Sequence, residues 1–141
     1  MLPLSPAKYR LMNPPDDAPP TSAFKSRSGL VRLWRATGYS WAGLRAAWRH
    51  EAAFRQELAV GLPLIALAWW LAPDRWQALL LTAAIVQVWL VELLNSAIEA
   101  LADAVTVERH PLLGRAKDLG SAAVMLSLLL AVSVWLAVFW P

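Results

Sequence analysis

Trp89-Leu-Val-Glu92-Leu-Leu-Asn95-Ser96-Ala-Ile-Glu99-Ala-Leu-Ala-Asp103 sets three carboxylates, an amide and a hydroxyl into one of the most apolar stretches of a 141-residue chain. Counted from Glu92, the other four polar residues stand at offsets of 3, 4, 7 and 11. At about 100° per residue these offsets bring all five to one side of a helix, with the carboxylates inside an arc of roughly 40°. A carboxylate within a bilayer is costly, so an ionisable residue in a spanning helix usually lines a site or a pathway. The alternative is charge that snorkels at a helix end or pairs with Arg and Lys of a neighbouring helix. Glu92 lies too deep to snorkel easily.

Composition points to a membrane. The chain is 58% hydrophobic and 16% charged, and a soluble domain of this size needs more charge on its surface. Cysteine is absent and there are only two histidines, His50 and His110, which excludes a disulfide framework, a thiol nucleophile and a His-rich or Cys-type metal centre. No nucleic-acid partner is expected.

Residues 1–28 and 29–141 read differently. In the first segment Pro3, Pro6, Pro14, Pro15, Pro19 and Pro20 break any regular element, and no apolar run follows a basic start, so a disordered cytosolic tail is expected rather than a signal peptide. From about Leu30 to Trp48, Trp34, Trp41 and Trp48 recur every seven residues beside Arg32, Arg35, Arg45 and Arg49. That pattern predicts an amphipathic helix on an anionic membrane surface, able to bend at Gly38. Three spans are expected, at about 52–72 (with a kink at Pro63 from its missing N–H), 76–105 and 119–140. A short turn, Pro73-Asp74-Arg75, joins the first two spans, and a longer polar loop, Glu108 to Asp118, joins the last two. The fold class is thus all-α: an interfacial helix plus three transmembrane helices.

Basic residues set the orientation. Arg32 through Arg55 precede the first span, and Arg109, Arg115 and Lys117 lie between the second and third, against Arg75 alone on the other side. The N-terminus is expected in the cytosol and the C-terminus outside. The acidic stripe then occupies the cytosolic half of the second span, level with Glu51, Glu57, Lys117 and Asp118. Chemistry that joins a water-soluble anion to a lipid needs such a place. Mg²⁺ is commonly held by one or two carboxylates plus substrate phosphates, and Glu51 with Glu99 offers a pair. Glu92 is the carboxylate closest to where a lipid hydroxyl would give up its proton. Lys117, Arg32 and Arg109 can offset phosphate charge. Arg55, one turn from Glu51, is placed to pair with it and to compete with a metal there. Gln77 and Gln87 suit helix packing. Neither a P-loop nor a dinucleotide-binding glycine motif is present.

Two blocks carry a resemblance. Glu92-Leu-Leu-Asn-Ser-Ala-Ile-Glu99-Ala-Leu-Ala-Asp103, followed by Gly114-Arg-Ala-Lys-Asp118-Leu-Gly-Ser-Ala-Ala, resembles the signature of the small integral-membrane prokaryotic diacylglycerol kinases. Upstream, Gly38-Tyr-Ser-Trp-Ala-Gly-Leu-Arg-Ala-Ala-Trp-Arg-His-Glu51-Ala-Ala-Phe-Arg-Gln-Glu57 is similar to their Gram-negative branch. The resemblance implies an ATP-dependent, Mg²⁺-requiring lipid kinase of the bacterial inner membrane that makes phosphatidic acid. It further implies a homotrimer with composite sites between protomers. By position, Glu92 matches the general base, Glu51 and Glu99 the metal carboxylates, and Asn95 an active-site polar partner. Arg32, Tyr39, Glu108, His110, Lys117 and Asp118 match nucleotide contacts. Gly38, Tyr39, Ser40, Trp41, Trp48 and Ser121, with Arg32 and Glu92, fall on the lipid side. Asp103 either orients a lysine or touches metal. His50 departs from the family's polar neighbour of Glu51, and the proline-rich tail has no counterpart. Two alternatives stay open: undecaprenol as the acceptor, and a small cation- or proton-coupled transporter.

Overall fold

The computed structural model describes residues 29–106 and 108–140, so the tail expected at residues 1–28 lies outside the described residues. Four helices follow one another: α1 (Gly29–His50), α2 (Ala52–Leu71), α3 (Arg75–Val105) and α4 (Pro111–Phe139). No strand occurs among the described residues. The chain divides after Trp41 into two units, with the first half of α1 in one and the rest of the helices in the other. α1 continues through Gly38 without a break in helical structure.

Local sequence explains each boundary. α1 and α2 are separated by one residue, Glu51, whose backbone is extended (φ −102°, ψ 111°). Ala47 and Phe54, on either side of that break, are buried. Asp74 opens α3 as an N-cap, its Oδ1 accepting the Gln77 backbone N–H at 2.9 Å and satisfying a donor the helix cannot. α4 opens at Pro111, where a missing N–H costs nothing.

That start is a correction. Residues 111–118, expected in a polar loop, form the first two turns of α4, and the connection shrinks to residues 106–110. Their polarity reflects a helix extending past the apolar layer, not irregular backbone.

α3 is the central element, packing on α2 on one side and α4 on the other. Both contacts are antiparallel. Toward α2, Gly61 meets Ile85 and Trp89, and nearer the turn Trp69 Nε1 donates to Thr82 Oγ1 at 3.1 Å. Toward α4, Ala84 and Val88 pack with Ala131 and Val134, and Asn95 faces Gly120. The buried set is rich in small residues, including Ala68, Ala78, Ala84, Ala102 and Ala131. Small residues let helix backbones approach where no water drives association. Leucines cover the outside: Leu90, Leu94 and Leu101 on α3 and Leu126, Leu129 and Leu130 on α4 are exposed.

Among the described residues, two helices, α3 and α4, are long and apolar enough to cross a membrane. α2 has 20 residues, but Arg55, Gln56 and Glu57 occupy its first two turns, leaving a shorter uncharged run from Leu58 to Leu71. Pro63 lies inside this helix.

Candidate active site

The polar residues of α3 change burial with position. Glu92 is 4% exposed, Asn95 and Ser96 are buried, Glu99 is half-buried and Asp103 is exposed. One helix face thus leads from the packed interior to the α3–α4 connection. Asn95 Nδ2 donates to Glu99 Oε1 at 3.1 Å, one turn along that face. The other amide atom, Oδ1, is buried, has no hydrogen-bond partner among the described residues and points at Gly120, where a side chain would collide with it. Ser96 Oγ is also buried without a partner among the described residues.

Carboxylates gather around Glu92. Glu51, half-buried at the α1–α2 break, and Glu99 are both close enough for their charges to act on it. So is Glu57 on α2, whose Oε2 is buried and has no hydrogen-bond partner among the described residues. None of these four forms an ion pair among the described residues, although the Lys117 charge reaches Glu99. Arg55 does not neutralise Glu51 as its spacing predicted. Its Nη1 instead donates to the backbone carbonyls of Trp48 at 3.1 Å and Arg49 at 3.4 Å.

No group of three or more His, Asp and Glu side chains among the described residues is placed to hold a metal by itself. The donor set nevertheless fits Mg²⁺, which takes hard oxygen ligands and needs only one or two carboxylates when phosphates supply others.

Beyond the stripe, Lys117 Nζ donates to Asp103 Oδ1 at 3.0 Å, linking α3 to α4. Of the two roles open to Asp103, the observed contact is with the lysine. The pair borders a cleft of about 650 Å³ at the α3–α4 connection. Glu108, His110, Lys117 and Asp118, four of the expected nucleotide contacts, line it together with Asp103. Thr106, which the sequence did not single out, also lines it and accepts the Glu108 backbone N–H at 3.0 Å. A second, apolar hollow of about 650 Å³ runs between α2 and α4 over α3, with Glu57 and Gln56 among Val60, Trp89, Leu128 and Trp135.

The remaining expected residues are dispersed. Ser121 is exposed on α4 beside Gly120, and Trp48 is exposed on α1. Arg32, Gly38, Tyr39, Ser40 and Trp41 belong to the first unit, where Ser40 Oγ donates to the Ala36 carbonyl at 3.0 Å. The carbonyl oxygens of Gln77 and Gln87 are buried without a hydrogen-bond partner among the described residues. Sequence reasoning gave no role to Gly120, whose lack of a side chain admits Asn95, and assigned Glu57 only a level in the membrane.

The profile described as prokaryotic diacylglycerol kinase matches residues 38–139. A diacylglycerol kinase of Escherichia coli (strain K12) is 49% identical over 113 residues, covering 80% of this chain and 93% of the relative. One of Pseudomonas aeruginosa is 48% identical over 114 residues, covering 81% and 93%. One of Haemophilus influenzae is 41% identical over 108 residues, covering 77% and 92%.

Proposed function

The chain belongs to the prokaryotic diacylglycerol kinase family, and from that premise we propose that it transfers the γ-phosphoryl group of ATP to the primary hydroxyl of 1,2-diacylglycerol, giving phosphatidic acid and ADP. The observation that carries the proposal is the continuous polar face from buried Glu92, through the Asn95–Glu99 hydrogen bond, to the Lys117–Asp103 pair and the cleft beside it. Such a face has an apolar end for a lipid and a polar, cation-bearing end for a nucleotide.

Transfer is direct. Glu92 takes the proton of the lipid hydroxyl as its oxygen attacks the γ-phosphorus, and the bond from that phosphorus to the bridging oxygen of ADP breaks. Asn95 holds the Glu99 carboxylate in place by its hydrogen bond. Glu51 and Glu99 hold Mg²⁺, which supplies charge neutralisation on the phosphates when bound. Lys117, Asp118, Glu108 and His110 contact the nucleotide in the cleft, and Lys117 opposes phosphate charge. Arg32 and Tyr39 add nucleotide contacts, while Gly38, Ser40, Trp41, Trp48 and Ser121 line the lipid side. No covalent phosphoenzyme is required.

In the membrane, α2 serves as the third span beside α3 and α4, and α1 lies on the cytosolic surface. The basic residues of α1, of the α3–α4 connection and of the first two turns of α4 support a cytosolic N-terminus and a periplasmic C-terminus in the inner membrane. A homotrimer supports the chemistry, because three thin helices enclose little volume in which to shelter four carboxylates.

The test is ³²P transfer from ATP and Mg²⁺ in mixed micelles, offering diacylglycerol and undecaprenol separately, with Glu92→Gln as control. Labelled diacylglycerol that disappears in the variant is the expected result. Preferential labelling of undecaprenol overturns the acceptor assignment. Absence of labelling in either lipid, from folded protein, overturns the kinase reading.

A further inference from the structure

Glu51 is the single non-helical residue between two helices, so its side chain has no helix of its own to fix its direction. Two backbone hydrogen bonds end on Glu51, one from each side of the break: Glu51 N–H to the Ala47 carbonyl at 2.9 Å, and Arg55 N–H to the Glu51 carbonyl at 3.4 Å. Neither restrains the angle between the end of α1 and the start of α2. The last carbonyls of a helix lack intrahelical partners and carry partial negative charge. Arg55 meets two of them, those of Trp48 and Arg49, with one guanidinium nitrogen. It does so from the first turn of α2, across the break. Buried Phe54 and Ala47 pack the same corner.

We infer that Arg55 is a positioning residue for Glu51: by capping the C-terminus of α1 from α2, it fixes the one-residue corner that aims the Glu51 carboxylate, and it does not itself pair with that carboxylate. The inference rests on the assignment of Glu51 as a metal carboxylate. The guanidinium is committed to main-chain oxygens, so it supplies rigidity at the corner rather than charge to the site. A residue that orients a metal ligand without touching the metal typically governs affinity by about 10- to 100-fold.

The experiment uses the full chain in detergent micelles with a non-hydrolysable ATP analogue, and follows Mn²⁺ binding by loss of the free-ion EPR signal. Mg²⁺-dependent phosphoryl transfer is measured in parallel. Arg55→Gln is expected to weaken Mn²⁺ binding about tenfold or more. In the transfer assay it should raise the Mg²⁺ needed for half-maximal rate by a similar factor, with kcat recovered at saturating Mg²⁺ and KM for diacylglycerol unchanged. Arg55→Lys, which keeps a donor for the carbonyls, is expected to lose less. If Arg55→Gln does not yield folded protein, Arg55→Lys against the parent carries the comparison, and a weaker Mn²⁺ affinity remains the expected result.

Glu51→Gln separates the two assignments. If it weakens Mn²⁺ binding and adding Arg55→Gln to it brings no further loss, the positioning role stands. If Glu51→Gln weakens binding while the Arg55 variants bind Mn²⁺ like the parent, the positioning role is overturned and the metal role of Glu51 survives. If Glu51→Gln itself leaves Mn²⁺ binding unchanged, both fail. A fall in kcat that excess Mg²⁺ does not restore overturns the inference as well.

Discussion

Asn95 donates to Glu99 with one amide atom while the other lies buried against Gly120. The Glu99 carboxylate is therefore tied to the α3–α4 interface. Replacing Asn95 with Ala is expected to raise the Mg²⁺ required for half-maximal activity by about 10- to 100-fold. Asn95→Asp should be worse, since it sets a carboxylate against a carboxylate. A Mg²⁺ titration of phosphoryl transfer compares the two, and an unchanged Mg²⁺ requirement in Asn95→Ala would argue against the tie.

Removing the metal bears on the same residues. A chelator is expected to abolish transfer and added Mg²⁺ to restore it. Glu99→Gln should shift the Mg²⁺ response to higher concentration. An unchanged Mg²⁺ response in that variant excludes Glu99 as a metal ligand.

Lys117 and Asp103 form an ion pair whose side chains are 38% and 65% exposed, so the pair itself adds little to folding. Asp103→Asn is expected to leave the thermal midpoint in detergent nearly unchanged. Lys117→Met should weaken ATP binding roughly tenfold or more, as expected for a lost charge-assisted hydrogen bond. Nucleotide titration and thermal melts of both variants measure the contrast.

Two glycines occupy tight places with different neighbours. A Cβ at Gly61 would stand 2.6 Å from Trp89 Cζ2 and 2.7 Å from Ile85 Cγ2, whereas one at Gly120 would strike the Asn95 amide. Gly61→Ala is expected to cost about 1–3 kcal/mol of stability by overpacking, with the activity of the folded fraction retained. Gly120→Ala should lower activity in the folded protein, because Asn95 must turn away. Gly43, with open space around it, is the control: Gly43→Ala should stabilise its helix by about 0.5–1 kcal/mol.

Topology is testable because the chain contains no cysteine. A cysteine at Arg75 should react with a membrane-impermeant maleimide added outside intact spheroplasts. One at Glu108 should react only after the membrane is opened. The reverse pattern inverts the proposed orientation.

Much of the site was legible in the sequence because the helical period alone gathers Glu92, Asn95, Ser96, Glu99 and Asp103 on one face. The α3–α4 cleft was legible in its residues but not in its backbone. Arg115, Lys117 and Asp118 look like loop when polarity is the guide, yet Pro111 starts a helix eight residues before the apolar run of α4. Arg55 was misread for a related reason. Spacing of four residues suggests pairing with Glu51 only if both belong to one helix, and the extended backbone at Glu51 ends that helix and exposes carbonyls that compete for the guanidinium. Gly120 was hidden among the small residues of α4, since a contact with Asn95 depends on how two helices meet.

With 31 residues, α3 is about 46 Å long, well beyond the hydrocarbon thickness of about 30 Å. In the proposed topology its carboxylates would reach the level at which a diacylglycerol hydroxyl rests, and the acceptor would meet the enzyme by moving sideways in two dimensions. The quantity that saturates the enzyme is then the mole fraction of acceptor in the surface, not its bulk concentration. Diluting vesicles at constant lipid composition leaves the acceptor as available as before, while the same dilution starves the enzyme of ATP.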